Sequence, residues 1–210
     1  MKFRKKELDK KLANSIKIDT KNYGLKSRGI TLFKKVNDYF IYITIGISGI
    51  NGEKIAISGY VKPYVVDDVF WKVFNMSKNS EESMGLRANG AFKIDGATAF
   101  LENIEYGDVH NIGDIAKELL KKCYEKLMSI VNEFKNYNDF LEFSKESKSK
   151  TLYDYALVNM LLLINEGKYS EARQDAEKNI LDNKYGRFRN EGKFIYEHII
   201  DYCNLSENRS

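Results

Sequence analysis

Only two histidines and two cysteines stand in this 210-residue chain, so nucleophilic and metal chemistry have few places to start. A serine or cysteine nucleophile needs a base oriented by a third group. His110 stands in VHNIGD at a helix start, His198 lies inside a helical stretch, and neither adjoins a nucleophile elbow. Cys123 and Cys203 both fall in helical patterns with no CxxC neighbour. A zinc site gathers about four Cys/His ligands, and here the four stand singly. The cysteines read as buried thiols of a reducing compartment. Paired carboxylates are a third route to acid–base work. Asp67 and Asp68 are adjacent, point differently, and suit the start of a helix; Asp95, Glu102 and Glu105 show no distinguishing pattern. No GxxxxGK[ST] loop occurs. The residues point away from catalysis and imply neither cofactor nor metal.

Binding chemistry has more to work with. Residues 1–36 hold twelve Lys/Arg against three Asp/Glu, a balance of +9, whereas the whole chain carries only +4. Such asymmetry suits an arm that meets an acidic partner, or simply a solvated lysine-rich helix. A period of two follows the arm. Ile30, Leu32 and Val36 share one side of a first strand, and Ile41, Ile43, Ile45 and Ile47 share one side of a second. Ile55, Ile57 and Val61 do so on a third, which Pro63 ends. Asn37-Asp38 and the loop Ser48 to Gly52 join them into an antiparallel meander. The opposite face then carries Phe33, Lys35, Phe40, Tyr42, Thr44, Ser58, Tyr60 and Lys62, an aromatic and basic set. Aromatic rings beside cations bind single-stranded nucleic acid by stacking, and they also serve protein interfaces. A covering helix would make the same residues core. The binding residues expected are Phe33, Lys35, Phe40, Tyr42, Tyr60 and Lys62. A nucleic-acid alternative adds Lys5, Lys6, Lys10 and Lys11 of the arm.

These strands sit in an α+β arrangement. Residues 3–16 predict a helix with Leu8, Leu12 and Ile16 in a row. A short helix follows from Asp67 to Phe74. Leu86 to Ile94 and Thr98 to Ile104 read as two further strands about the turn Asp95-Gly96. From Asn111 one apolar stripe, Ile112, Ile115, Ala116, Leu119, Leu120, Cys123, Leu127, Ile130, Val131 and Phe134, predicts a helix of six turns. The polar run Ser144 to Lys150 is the expected boundary between a domain at 1–145 and a helical extension at 151–205. In that extension Leu152 to Ile164 and Tyr169 to Leu181 form a helical hairpin, and Lys193 to Cys203 supplies a last helix. Gly167, Tyr169, Ala172 and Ala176 resemble half of a tetratricopeptide unit, and one unit is not an array. The fold class predicted is α+β: an antiparallel sheet of about five strands packed with helices, then a C-terminal helical hairpin.

The segment GLKSRGITLFKK joins the arm to the sheet and resembles the opening of the family known as domain of unknown function 4304. Gly24, Leu25, Lys26, Arg28, Gly29, Leu32, Phe33 and Lys34 carry that resemblance, which spans about residues 3–143. It implies a bacterial α+β domain with no assigned reaction, and so transfers no catalytic residue. After the second strand the chain departs from the family pattern, with Ile47-Ser48-Gly49-Ile50 in place of a Gln-Lys-Ser-like stretch.

The function expected is therefore a non-enzymatic interaction module, an immunity or regulatory protein that binds another protein. Nucleic-acid binding is the alternative, and an enzyme with an unrecognised site the third reading. The charged N-terminus and the lack of a long apolar run predict a cytoplasmic protein with no membrane partner.

Overall fold

The structure is a computed structural model that describes residues 5–146 and 153–208. In chain order its elements are α1 (Lys5–Ser15), α2 (Lys17–Asn22), β1 (Lys26–Arg28), β2 (Thr31–Val36), β3 (Tyr39–Ser48), β4 (Lys54–Pro63), α3 (Val65–Val73), α4 (Gly85–Asn89), β5 (Ala97–Glu105), α5 (Ile112–Glu133), α6 (Tyr137–Lys145), α7 (Tyr155–Asn165), α8 (Tyr169–Leu181), β6 (Arg189–Asn190), β7 (Lys193–Phe194) and α9 (Ile195–Glu207). This is the expected α+β class. Contacts divide the chain into one unit of residues 1–62 and 96–135 and a second of residues 63–95 and 136–210. The polar stretch 147–150 and Leu152 lie outside the described residues.

The first unit is a five-stranded antiparallel sheet in the order β1-β2-β3-β4-β5, a meander without crossovers. Its second hairpin turns at Asn37-Asp38, with Val36 opposite Tyr39 and Asn37 at φ 51°. Asn tolerates that left-handed conformation better than most residues. Ile41, Ile43, Ile45, Ile47, Ile55, Ile57 and Val61 are all buried, as their alternation predicts. α5 packs on β3 and β5, and α1 packs on α5 and β3. Gly59 permits the closest approach: a Cβ there would lie 2.6 Å from Cys123 Sγ and 3.1 Å from Leu127 Cδ1. Each fully buried Leu or Ile contributes about 1.5–3 kcal/mol, so the stripe on α5 and the isoleucine rows hold this unit together. One strand escapes the sequence pattern, since β1 is only three residues long and wholly exposed.

The second unit is helical, with α8 packed between α7 and α9, and α3 against α7 and α9. The side chain of Asp154 caps α7 through the Leu157 N–H at 3.0 Å and accepts the Tyr196 hydroxyl as well. α9 runs on through Leu205 to Glu207. The expected strand at Leu86 to Ile94 is corrected: Gly85–Asn89 is a short helix, and the rest pairs with no strand. Side chains from α3 take over this segment. Trp71 Nε1 donates to Phe92 O at 2.6 Å, and the Ile94 N–H donates to Asp67 Oδ1 at 2.9 Å. Arg87 stacks on Tyr64 and Trp71, 4.1 and 4.9 Å from the ring centroids, and pairs with Asp68 at 2.6 Å. Backbone groups bonded to a carboxylate and an indole have no need of a ladder partner.

Candidate functional site

The aromatic sheet face forms as a contiguous set but is not an open platform. Phe33 stands opposite Tyr42 and Lys35 opposite Phe40 across β2 and β3. Tyr42 stacks on Tyr60 with centroids 4.7 Å apart, and its hydroxyl accepts the Gly96 N–H at 2.9 Å. Lys62 Nζ lies 5.6 Å from the Phe40 centroid and 5.8 Å from that of Tyr42. Phe33, Phe40, Tyr42 and Lys62 are buried, Phe40 and Lys62 completely; Tyr60 is half-buried and Lys35 exposed. Four of the six expected binding residues are thus withdrawn from solvent, and a nucleobase has no ring among them to stack on.

The catalytic candidates stay apart. His110 is exposed beside Asp108, whose carboxylate accepts the His110 N–H at 2.7 Å. His198 is buried, with Nε2 3.0 Å from Asn190 O and its ring edge-on to Phe74. Burial pushes the Cys123 thiol well up, and pushes Cys203 up to about 11, so both are protonated at neutral pH. Among the described residues no group of three His, Cys, Asp or Glu could hold a metal ion. Asp67 and Asp68 face Arg87, while Asp95 pairs with Lys93 and Arg187.

What the first unit does present is a groove of about 430 Å³ between the N-terminal helices and the first hairpin. α1 forms one wall. Asp9 Oδ1 accepts the Ile47 N–H at 2.8 Å, and Lys11 Nζ donates to Val109 O at 2.7 Å, so the middle of the helix is tied to β3 and to the residues leading into α5. The close approach of Gly113 to Ser15, 3.0 Å from a hypothetical Cβ, fixes α1 beside α5. α2 continues the wall and ends in a Schellman motif. Gly24, at φ 65°, donates to Lys21 O, and Leu25 donates to Thr20 O at 3.0 Å. A glycine takes this conformation without the usual side-chain penalty. Lys34 Nζ then donates to Tyr23 O at 3.0 Å, at the negative end of α2. Tyr23 stacks on Tyr124 at 4.3 Å beside it.

The chain returns along the opposite wall. β1 runs into a two-residue turn, Gly29-Ile30, closed by the Arg28–Thr31 pair, with Gly29 at φ 62°. Glycine at the first central position is the requirement of a II′ hairpin. The motif GLKSRGITLFKK thus has local folding work at nearly every position. Gly24 reverses the chain, Lys34 caps the helix, and Gly29 makes the turn. Leu25 and Leu32 enter the groove floor, and Lys26 is left on the rim.

The floor is apolar: Leu12, Ile16, Leu25, Leu32 and Ile45. Ile30 lines the mouth at 56 % exposure, and Ile18 on α2 is 72 % exposed. Lys17, Lys21 and Lys26 stand around the opening, all exposed, and none makes an ion pair among the described residues. Asp9 is the one carboxylate in the lining, and the Ile47 N–H engages it. Sequence reasoning missed this site. The signal available was Ile18, which no periodic stripe absorbs, among Lys17, Lys21, Lys26 and Arg28. Ile30, expected on the core side of the first strand with Leu32, is corrected to the turn before that strand, where the chain reversal leaves it exposed.

Comparison with protein-family models, with curated proteins and with solved structures finds no match to this chain. Its function therefore has to be argued from the groove.

Proposed function

We propose that this chain is a non-enzymatic interaction module, of the regulatory or immunity kind, which binds another protein through the groove between α1–α2 and the β1–β2 hairpin. One observation supports the reading above all: over a buried apolar floor the mouth of the groove stays open to solvent at Ile30, and around it stand three exposed lysines that make no ion pair among the described residues. Exposed apolar surface rimmed by polar groups marks interaction sites on folded chains. The floor is wholly aliphatic, and the one carboxylate of the lining, Asp9, is engaged by the Ile47 N–H. The nucleic-acid alternative keeps exposed lysines on the arm but loses most of its platform, because Phe33, Phe40, Tyr42 and Lys62 are buried.

The test is a pulldown of the tagged chain from its native lysate, with and without nuclease, against the variant Ile30→Asp. Ile30 sits at a turn and is largely exposed, so the variant folds. A protein that is captured by the wild type, survives nuclease and is lost with Ile30→Asp supports the module. Capture that vanishes with nuclease turns the reading to nucleic acid, and capture indifferent to Ile30 removes the groove from it.

A further inference from the structure

The groove also specifies the chemistry of its occupant, an inference that rests on the docking reading above. We infer that it takes a partner segment presenting a short row of large apolar side chains flanked by Asp or Glu. Three observations converge. The cavity, about 430 Å³, falls within the range of about 300–1,000 Å³ that encloses a compact ligand, so it accepts a few side chains rather than a whole helix.

Its floor of Leu12, Ile16, Leu25, Leu32 and Ile45 offers no side-chain hydrogen-bond partner, and of the two hydroxyls in the lining, Thr20 and Ser27, that of Thr20 already donates to Ile16 O at 2.8 Å. A polar occupant would therefore leave buried groups unpaired.

The rim sets the sign of the flanks. Lys17, Lys21 and Lys26 make no ion pair among the described residues, whereas Lys117, Lys121 and Lys122 on α5 stand within 4 Å of Asp114, Glu125 and Glu118. Cations left without partners around an apolar opening favour an acidic surface and disfavour a basic one. Ile30 carries the apolar area out to the cavity mouth. A free small molecule held on the floor would leave it wet, and a polypeptide laid over the mouth covers it.

The probe is a phage-displayed library of random dodecapeptides panned on the full chain, with the enriched peptides measured by fluorescence polarisation. Two variants separate the claims. Ala13→Trp places a large ring in the groove from an exposed helical position, and the triple variant K17E/K21E/K26E reverses the rim; circular dichroism checks that both fold. The expected enrichment is for an apolar row with Asp or Glu beside it. Binding should weaken at least tenfold with either variant, and a peptide with its acids changed to lysine should recover on the reversed rim. Peptides blocked by Ala13→Trp but indifferent to the rim charges would overturn the acidic-flank inference and leave the docking reading standing. Peptides indifferent to both variants would overturn both. An absence of enrichment would overturn the inference.

Discussion

Two surfaces of the first unit are built from similar residues and come out opposite. On the sheet face, Lys62 lies against the rings of Phe40 and Tyr42 with no exposure at all. In the groove, Lys17, Lys21 and Lys26 stand over isoleucines and leucines with their ammonium groups in solvent. A cation beside apolar side chains is common to both. Exposure is what separates a packed interior from a surface able to meet a partner, and it is decided by elements far away in sequence. The difference also shows in what each lysine touches. The buried one lies against aromatic faces, and the exposed ones are left with charge to offer.

That contrast can be broken by substitution. Phe40→Ala should cost the most, about 3–5 kcal/mol, as expected for a fully buried ring. Urea unfolding measures it, and a loss under 1 kcal/mol would return the sheet face to the surface. Gly59→Ala comes next, at about 1–3 kcal/mol, because its methyl meets Cys123 Sγ at 2.6 Å. Cys123→Ala in the same chain should restore part of that loss, and strictly additive costs would contradict the close approach of α5 to β4. Gly24→Ala should cost about 1–2 kcal/mol through the left-handed backbone at φ 65°. Lys26→Glu and Ile30→Asp should stay within about 0.5 kcal/mol of wild type, like other surface changes, while abolishing partner capture.

A pH dependence sharpens the same point for the thiols. The folded Cys203 is raised to about 11 by burial, whereas an unfolded thiol ionises near about 8.5. Its contribution is therefore fully present below about pH 8.5 and is lost as pH rises through about 11. Denaturation midpoints between pH 8 and 11 check this. Alkylation of the folded chain by iodoacetamide at pH 8 should be far slower than that of the unfolded chain. Rapid labelling at both sites would show the thiols to be open.

The meander was legible because its isoleucines alternate without interruption from Ile41 to Ile47, and the α5 stripe because it repeats over six turns. Local chemistry sufficed for Asn37-Asp38. The failures share a cause. β1 has three residues, too few to show a period of two. Leu86 to Ile94 has a strand-like composition, but Asp67, Trp71 and Asp68, distant in sequence, capture Ile94, Phe92 and Arg87. The burial of Phe33 and Tyr42, and the lack of ion pairs for Lys17, Lys21 and Lys26 among the described residues, are likewise facts about non-local neighbours. Periodicity reports which side of a strand a residue is on; it does not report what lies over that side.

The claim that the groove, and not the aromatic sheet face, is where this protein meets its partner is tested most directly by hydrogen exchange on the full chain with and without the captured protein. The account predicts new protection confined to residues 12–32, spanning α2, the Gly24 turn and the β1–β2 hairpin. Protection at 39–62 with 12–32 unchanged would contradict it.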